Sequence, residues 1–375
     1  MQSKLPHIGT TIFTTMSKMA MDFQAINLAQ GFPNFPVDER LTTILKSQSG
    51  QNVHQYAPMA GLPVLLEELK FLTQKSYQRT VSTNEILVTA GATQAIFTAI
   101  QALVFAGDEV IIIDPAYDCY APAVDLVGGK CVHIAMEADF TVDWNKVEKS
   151  ITSKTKMLLV NNPHNPSGKV FTQDDIVALK NILLKHEHVF LLSDEVYEYI
   201  TFEQKHISIN TIPELINRSI VFSSFGKTFH ITGWKIGYIV APEYLLNEIK
   251  KVHQYLVFCV NSVAQHSLNA YLKIAEVEKL GAFYQSKRDQ FIELIKNSRF
   301  KLLPSEGTYF LAADYSEISL ENDVEFCERM VKEYGVAAIP MSVFYQDKID
   351  NKIIRFCFAK DDQTLIQAAE KLCKI

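Results

Sequence analysis

Lys227 and Lys235 stand in a small-residue turn, Ser224-Phe225-Gly226-Lys227-Thr228 and onward, between two apolar runs at 219–223 and 234–241. An ammonium at the end of a buried strand is costly unless it is paired or chemically used. A lysine so placed can form a Schiff base, its pKa lowered by its setting. The alternative is a surface turn carrying two solvated lysines, and this stretch alone does not decide.

Other apolar runs end on residues that could join such chemistry. Thr89-Ala90-Gly91-Ala92-Thr93-Gln94 opens a helix with small residues, leaving N–H groups free for an anion or simply making a tight turn. Asp114-Pro115-Ala116-Tyr117-Asp118-Cys119-Tyr120 offers aromatic faces for a planar ring, or for the core. Asn161-Asn162-Pro163-His164-Asn165-Pro166-Ser167-Gly168 is restricted by two Asn-Pro steps to an extended, turn-rich path. Ser193-Asp194-Glu195-Val196-Tyr197 places an aspartate where water is scarce, wanting a cation or capping a helix.

These residues need a scaffold, and the patterning supplies one. Strands are expected at 85–89, 109–113, 130–134, 157–160 and 189–192, alternating with helices at 92–105, 119–127, 143–150 and 172–186, the last on a Thr172 N-cap. The runs on either side of Lys227 complete a seven-stranded set. Continuous runs such as Val110-Ile111-Ile112-Ile113 fit strands buried on both faces of a mostly parallel sheet. Ligands then bind beyond the carboxyl ends of the strands. Helices are also expected at 9–23, 38–47, 63–74, 243–254, 262–279 and 282–298. From residue 301, strands at 307–312 and 353–358 alternate with helices at 323–334 and 362–372, which reads as a small α+β domain.

The bulk numbers exclude several classes. The chain has 375 residues, 48% hydrophobic and 21% charged, with a net charge of -6, so no basic surface argues for nucleic acid or anionic membrane. The six cysteines are scattered without a C-x-x-C pair, which suits a reducing cytosol and argues against disulfides or zinc. No leader-like run or 18-residue apolar run is visible, so neither secretion nor a membrane span is expected. His186-Glu187-His188 lacks a third ligand nearby and reads as a solvated turn rather than a metal site.

An anion cup, an aromatic plate, an asparagine, an aspartate with a tyrosine, and a lysine, taken in chain order, match pyridoxal 5′-phosphate. The motifs Asn27-Leu28-Ala29-Gln30-Gly31-Phe32-Pro33, Asn162 to Gly168, Ser193 to Tyr197, Ser224 to Thr228 and Ile354-Arg355-Phe356-Cys357-Phe358 carry a resemblance over essentially the full length. The chain resembles the fold type I, class I/II pyridoxal-phosphate aminotransferases, nearest the subgroup of methionine and kynurenine (glutamine transaminase K) aminotransferases. That implies a three-layer α/β fold. A large domain would span 46–275, and a small α+β domain would be built from 1–45 and 276–375.

The resemblance also implies roles. Lys227 would hold the cofactor and move the substrate Cα proton, and Asp194 would pair with the pyridine nitrogen. Asn165 and Tyr197 would bond the phenolic oxygen, and Tyr117 would stack on the ring. Ala92, Thr93, Ser224 and Lys235 would take the phosphate, with Tyr56 reaching it from the other subunit of a cytoplasmic homodimer. Arg355 would grip the substrate α-carboxylate, helped by the Gly31 backbone and Asn165.

Two departures stand out. Lys235 replaces a frequent arginine, and Cys259 stands near where kynurenine enzymes carry histidine. The expected reaction is ping-pong transfer of an amino group to a 2-oxo acid. Methionine, glutamine or aromatic donors are expected, since Phe13, Tyr309 and Phe344 are at hand and no arginine is evident for a side-chain carboxylate. Kynurenine transamination and β-elimination from cysteine S-conjugates are the enzymatic alternatives. An aminotransferase-like sensor domain would need a basic DNA-binding module, for which too few residues precede Gly31. A nicotinamide dehydrogenase would need a G-x-G-x-x-G turn, and none follows a strand.

Overall fold

In chain order the strands of the computed structural model, which describes residues 2–375, are β1 (Ile26–Asn27), β2 (Ile86–Thr89), β3 (Glu109–Asp114), β4 (Lys130–Ala135), β5 (Thr155–Asn161), β6 (Phe190–Asp194), β7 (Ser219–Ser224), β8 (Gly237–Val240), β9 (Lys301–Leu302), β10 (Phe310–Asp314), β11 (Val336–Ala337), β12 (Ile339–Pro340) and β13 (Ile353–Cys357). Seven of them form the central sheet, in the order β2-β8-β7-β6-β5-β3-β4. Their continuous apolar runs have a direct structural cause. Val110 and Ile112 of β3, with Met157 and Leu159 of β5, enter one core, whereas Ile111, Ile113, Leu158 and Val160 enter another on the opposite face. Because side chains alternate along a strand, burial of both faces requires an unbroken apolar run.

The strands from β3 to β7 are parallel, and β8 is not: it runs antiparallel to both β7 and β2. It is also shorter than the expected 234–241. Residues Thr232–Trp234 form a 3-10 turn and Lys235 adopts a left-handed φ of 51°, so pairing begins only at Gly237. The short connection after β7 holds one helical turn, Phe225–Thr228, and the chain turns back beside the strand it left.

Helix Gln173–Lys185 starts on Thr172, whose hydroxyl accepts the Asp175 N–H while the Asp175 carboxylate accepts from the Thr172 N–H, a reciprocal cap. Two expected helices are interrupted. The one read at 262–279 ends at Leu272 and resumes as a 3-10 turn at Val277–Lys279, because the Tyr271 carbonyl accepts from both Ile274 and Ala275. The one read at 323–334 passes from Asp323–Arg329 into a π turn, Met330–Tyr334, and stops on Gly335 at φ 68°.

The C-terminal region builds a second, antiparallel sheet, β12-β13-β10-β9. Beside it β1 pairs in parallel with β11, Ile26 opposite Val336, which ties the N-terminal segment to the C-terminal one. Helix Glu39–Ser49 sets Leu41 into a third apolar core together with Leu65, Leu69 and Leu268. Among the described residues no helix is long and apolar enough to cross a membrane, and no cluster of His, Cys, Asp or Glu could hold a metal ion.

Candidate active site

The carboxyl ends of β2, β5, β6 and β7 open onto a cavity. Ala92, Thr93, Tyr117, Asn165, Asp194, Tyr197, Ser224, Lys227 and Lys235 all line it. A contiguous space adds Gly31 and Arg355 and shares Tyr117, Asn165, Tyr197 and Lys227 with the first. Tyr56 alone is not brought in. It lies at the surface, 83% exposed, edge-on to Phe258 at 5.3 Å.

At one end helix Gly91–Leu103 points its N-terminus into the cavity, placing the free N–H groups of its first turn, with Ala92 and Thr93, on the wall. Gly91 sits at φ 77°, and a Cβ there would lie 3.7 Å from the Lys235 Nζ, which puts the ammonium over the same helix end. Gly237 permits this approach. A Cβ on it would fall 2.5 Å from the Ser223 carbonyl oxygen and 3.4 Å from the Ala92 nitrogen. Backbone donors, a positive helix end and a lysine converge without an acid, which is an anion site.

At the other end Asp194 closes β6, fully sunk among apolar neighbours. Burial pushes its carboxyl up to about 6, against the pull of the Tyr120 hydroxyl, the Val196 N–H and Lys227. Tyr120 donates to Oδ2 at 2.6 Å. The Asp194 carbonyl accepts from Asn161 Nδ2 at 2.9 Å, and Asn161 Oδ1 accepts the Asn165 N–H at 2.8 Å, so the two strand ends are pinned together. Sequence reasoning missed Tyr120 and Asn161 as supports. Tyr120 belonged to the aromatic group expected to face a ring, but its hydroxyl serves the acid.

Lys227 projects from the single turn after β7. Its Nζ lies 3.5 Å from the Gly31 carbonyl oxygen, 5.7 Å from the Tyr197 ring centre and 5.9 Å from that of Tyr309. Desolvation draws the ammonium down to about 8, although Cys357 and Asp194 oppose it. Tyr197 meets Tyr309 edge to face at 5.2 Å, and burial holds its phenol above the usual range.

Arg355, in the middle of β13, is 1% exposed. Its Nη1 donates to Asn165 Oδ1 at 2.6 Å and its Nη2 to the Ala29 carbonyl at 3.2 Å, while Nε has no partner. The guanidinium lies 3.8 Å from the Phe310 ring centre, with Phe344 and Phe13 at 5.4 and 5.5 Å. Burial draws it down to about 10. No described carboxylate pairs with it. A buried guanidinium with a spare N–H and aromatic walls is built to receive an anion from the cavity.

His186 and His188 lie ring to ring at 6.2 Å and belong to no metal-holding group among the described residues.

The sequence profile described as "Aminotransferase class I and II" matches residues 24–372. The chain is 48% identical to methionine aminotransferase of Escherichia coli (strain K12), covering 99% of this chain and 97% of that one. It is 33% identical to human kynurenine–oxoglutarate transaminase 3, over 99% and 89% of the two chains. Among solved structures, Escherichia coli YbdL, described with a methionine aminotransferase function, superposes with a TM-score of 0.97 at 47% identity over 100% and 99% of the chains. The N-succinyldiaminopimelate aminotransferase of Mycobacterium tuberculosis superposes with a TM-score of 0.96 at 32% identity over 100% and 99%.

Proposed function

This chain belongs to the class I and II aminotransferases, and on that premise we propose that it moves the amino group of methionine, and of glutamine or aromatic amino acids, to a 2-oxo acid by a ping-pong mechanism. Arg355 carries the reading. A buried cation without a carboxylate, within one continuous space of a recessed lysine, suits a substrate bearing an α-carboxylate next to the reacting carbon.

The residues present fit pyridoxal 5′-phosphate. The helix end with Lys235 and Ser224 would hold a phosphate, Asp194 a protonated ring nitrogen, Asn165 and Tyr197 the phenolic oxygen, and Tyr117 the ring face. A carboxyl raised to about 6 by burial is stabilised by a cation, so a pyridinium would relieve the cost of charging Asp194. When bound, the group supplies a reactive carbonyl and an electron-withdrawing ring.

This chain's side chains do the rest. With its amine drawn to about 8, Lys227 is in part neutral near pH 7–8 and can take and return a proton at the substrate Cα. Positioned proton transfer of this kind is worth about 10²–10⁴-fold. Arg355 fixes the carboxylate, and Phe13, Phe310 and Phe344 around it exclude water and favour an apolar side chain. Kynurenine is the second donor class, supported by the human relative and by those aromatic walls.

We further infer a cytoplasmic homodimer with Tyr56 reaching the partner's phosphate site. Support comes from the exposed group Tyr56, Tyr255, Leu256 and Phe258, and from six cysteines that are all free. A division into 46–275 and the paired termini is proposed as well, with helix Glu39–Ser49 riding on the larger part through Leu41.

Steady-state rates over a panel of amino acids and 2-oxo acids test the function. Methionine should rank among the best donors, aspartate should rank low, and Lys227→Ala should abolish turnover. Near-full activity in Lys227→Ala would end the proposal. Release of pyruvate and ammonia from a cysteine S-conjugate separates elimination from transamination.

A further inference from the structure

Lys360 is 3% exposed, and no described carboxylate pairs with its ammonium. A buried ammonium left to carbonyl groups is an expensive choice unless it holds something in place. Its Nζ donates to the Phe32 carbonyl at 2.7 Å and the Gln30 carbonyl at 3.3 Å, and lies 4.9 Å from the Phe32 ring centre. The residue between those two carbonyls is Gly31, whose own carbonyl faces the opposite way. It accepts from the Tyr309 hydroxyl at 2.8 Å and lies 3.5 Å from Lys227 Nζ. Gripping the carbonyls on either side of one peptide group fixes where that group points.

The grip is part of a longer fastening. The Leu28 carbonyl accepts from the Cys357 N–H at 2.8 Å, and the Ala29 carbonyl from Arg355 Nη2 at 3.2 Å. Asn34 bonds Asp361 in both directions, at 2.7 Å each. The irregular segment 28–34 is thus laced to the end of β13 and the start of helix Asp362–Leu372, with two buried cations, Arg355 and Lys360, among the ties and Lys360 the central one. A Cβ on Gly31 would lie 2.8 Å from Phe310 Cζ, so any larger residue there would have to displace that ring.

We propose that Lys360 is a positioning residue of the amino-acid site: it clamps the segment 28–34 so that Ala29 orients Arg355 and Gly31 faces Lys227. The proposal rests on the aminotransferase reading for its kinetic consequence but not for the clamp. Because Arg355 would bind the carboxylate equally in ground and transition states, loosening its support raises KM more than it lowers kcat.

The test compares the holoenzyme with Lys360→Met, which keeps the stem and removes the charge, and with Lys360→Arg, which returns a cationic donor. In Lys360→Met, hydrogen exchange should accelerate about tenfold or more in peptides covering 28–34 and stay unchanged in helix Asp362–Leu372. KM for methionine should rise roughly tenfold with kcat changing less than about threefold, and Lys360→Arg should recover most of both. Unchanged exchange at 28–34, a loss in kcat alone, or loosening spread over the whole C-terminal helix would overturn the clamp. If Lys360→Met does not fold, Asn34→Ala, which unties the other end without touching a buried charge, should give the same paired signature. A wild-type-like Asn34→Ala would overturn the proposal. If the wild-type enzyme shows no transamination, the functional reading fails, while the exchange measurement still decides the clamp.

Discussion

Replacing Tyr120 by phenylalanine removes one oxygen, the one that donates to Asp194 Oδ2 at 2.6 Å. Both groups are buried, so no solvent screening dilutes the bond. A hydrogen bond to a charged partner contributes about 1.5–3 kcal/mol, equal to a rise of about 1–2 pKa units when it is lost. Asp194, already pushed up to about 6 by burial, should then titrate between about 7 and 8 in the cofactor-free protein.

The sign follows from linkage. A carboxyl whose folded pKa lies above its unfolded value binds its proton more tightly when folded, so stability falls as pH rises from about 4 through that pKa. In Tyr120→Phe the fall continues further. The two proteins should have nearly equal unfolding free energies at pH 5, where Asp194 is largely protonated in both, and differ by about 1.5–3 kcal/mol at pH 8.5. Urea unfolding of the cofactor-free protein at several pH values measures this. Cofactor affinity near pH 7, followed by absorbance, should weaken in parallel, because a protonated Asp194 cannot hold a ring cation. An equal penalty at pH 5 and 8.5 would mean that the hydroxyl matters only for packing, and would refute the reasoning.

Arg355→Lys keeps the charge but loses the planar fork, and kcat/KM for amino-acid donors should fall by about 10²-fold or more in steady-state assays. Gly237→Ala puts a methyl against the Ser223 carbonyl and should destabilise the protein by about 1–3 kcal/mol, read as a lower Tm. Tyr56→Ala should weaken cofactor binding about tenfold in a titration while leaving the monomer fold intact by circular dichroism, if Tyr56 reaches across a dimer.

The central sheet was legible because each of its inner strands must feed two cores, and only an unbroken apolar run such as Met157-Leu158-Leu159-Val160 can do so. Strand ends were legible for the same reason: the polar residues that follow such runs, Asn161 after Val160 and Ser193-Asp194 after Leu192, close β5 and β6 at their carboxyl ends. Strand direction was not legible. Nothing in Gly237-Tyr238-Ile239-Val240 distinguishes an antiparallel strand buried on both faces from a parallel one, and the left-handed turn at Lys235 lies on a residue that seldom adopts it. Long-range pairings were equally hidden. Tyr120 reaches Asp194 across 74 positions, and Asn165 reaches Arg355 across 190, through geometry that no local pattern encodes. Lys360 left no signal because its partners are main-chain carbonyls, which every residue possesses.

The reversal of β8 against β7 has a consequence for the order in which the site comes into being. Lys227 and Lys235 ride on one connection between adjacent antiparallel strands, Ser224 opposite Gly237, so that pair can form from contacts close in sequence. The helix end that faces Lys235 arrives only when β2 docks on β8, joining Thr89 to Gly237 over a far longer loop. Loop-closure entropy makes such a contact the slower one. A refolding chain should therefore set Lys227 and Lys235 side by side before the helix end that faces Lys235 is in place. Pulse-labelled exchange should find β7 and β8 amides protected earlier than those of β2; simultaneous protection of all three would show the hairpin has no head start.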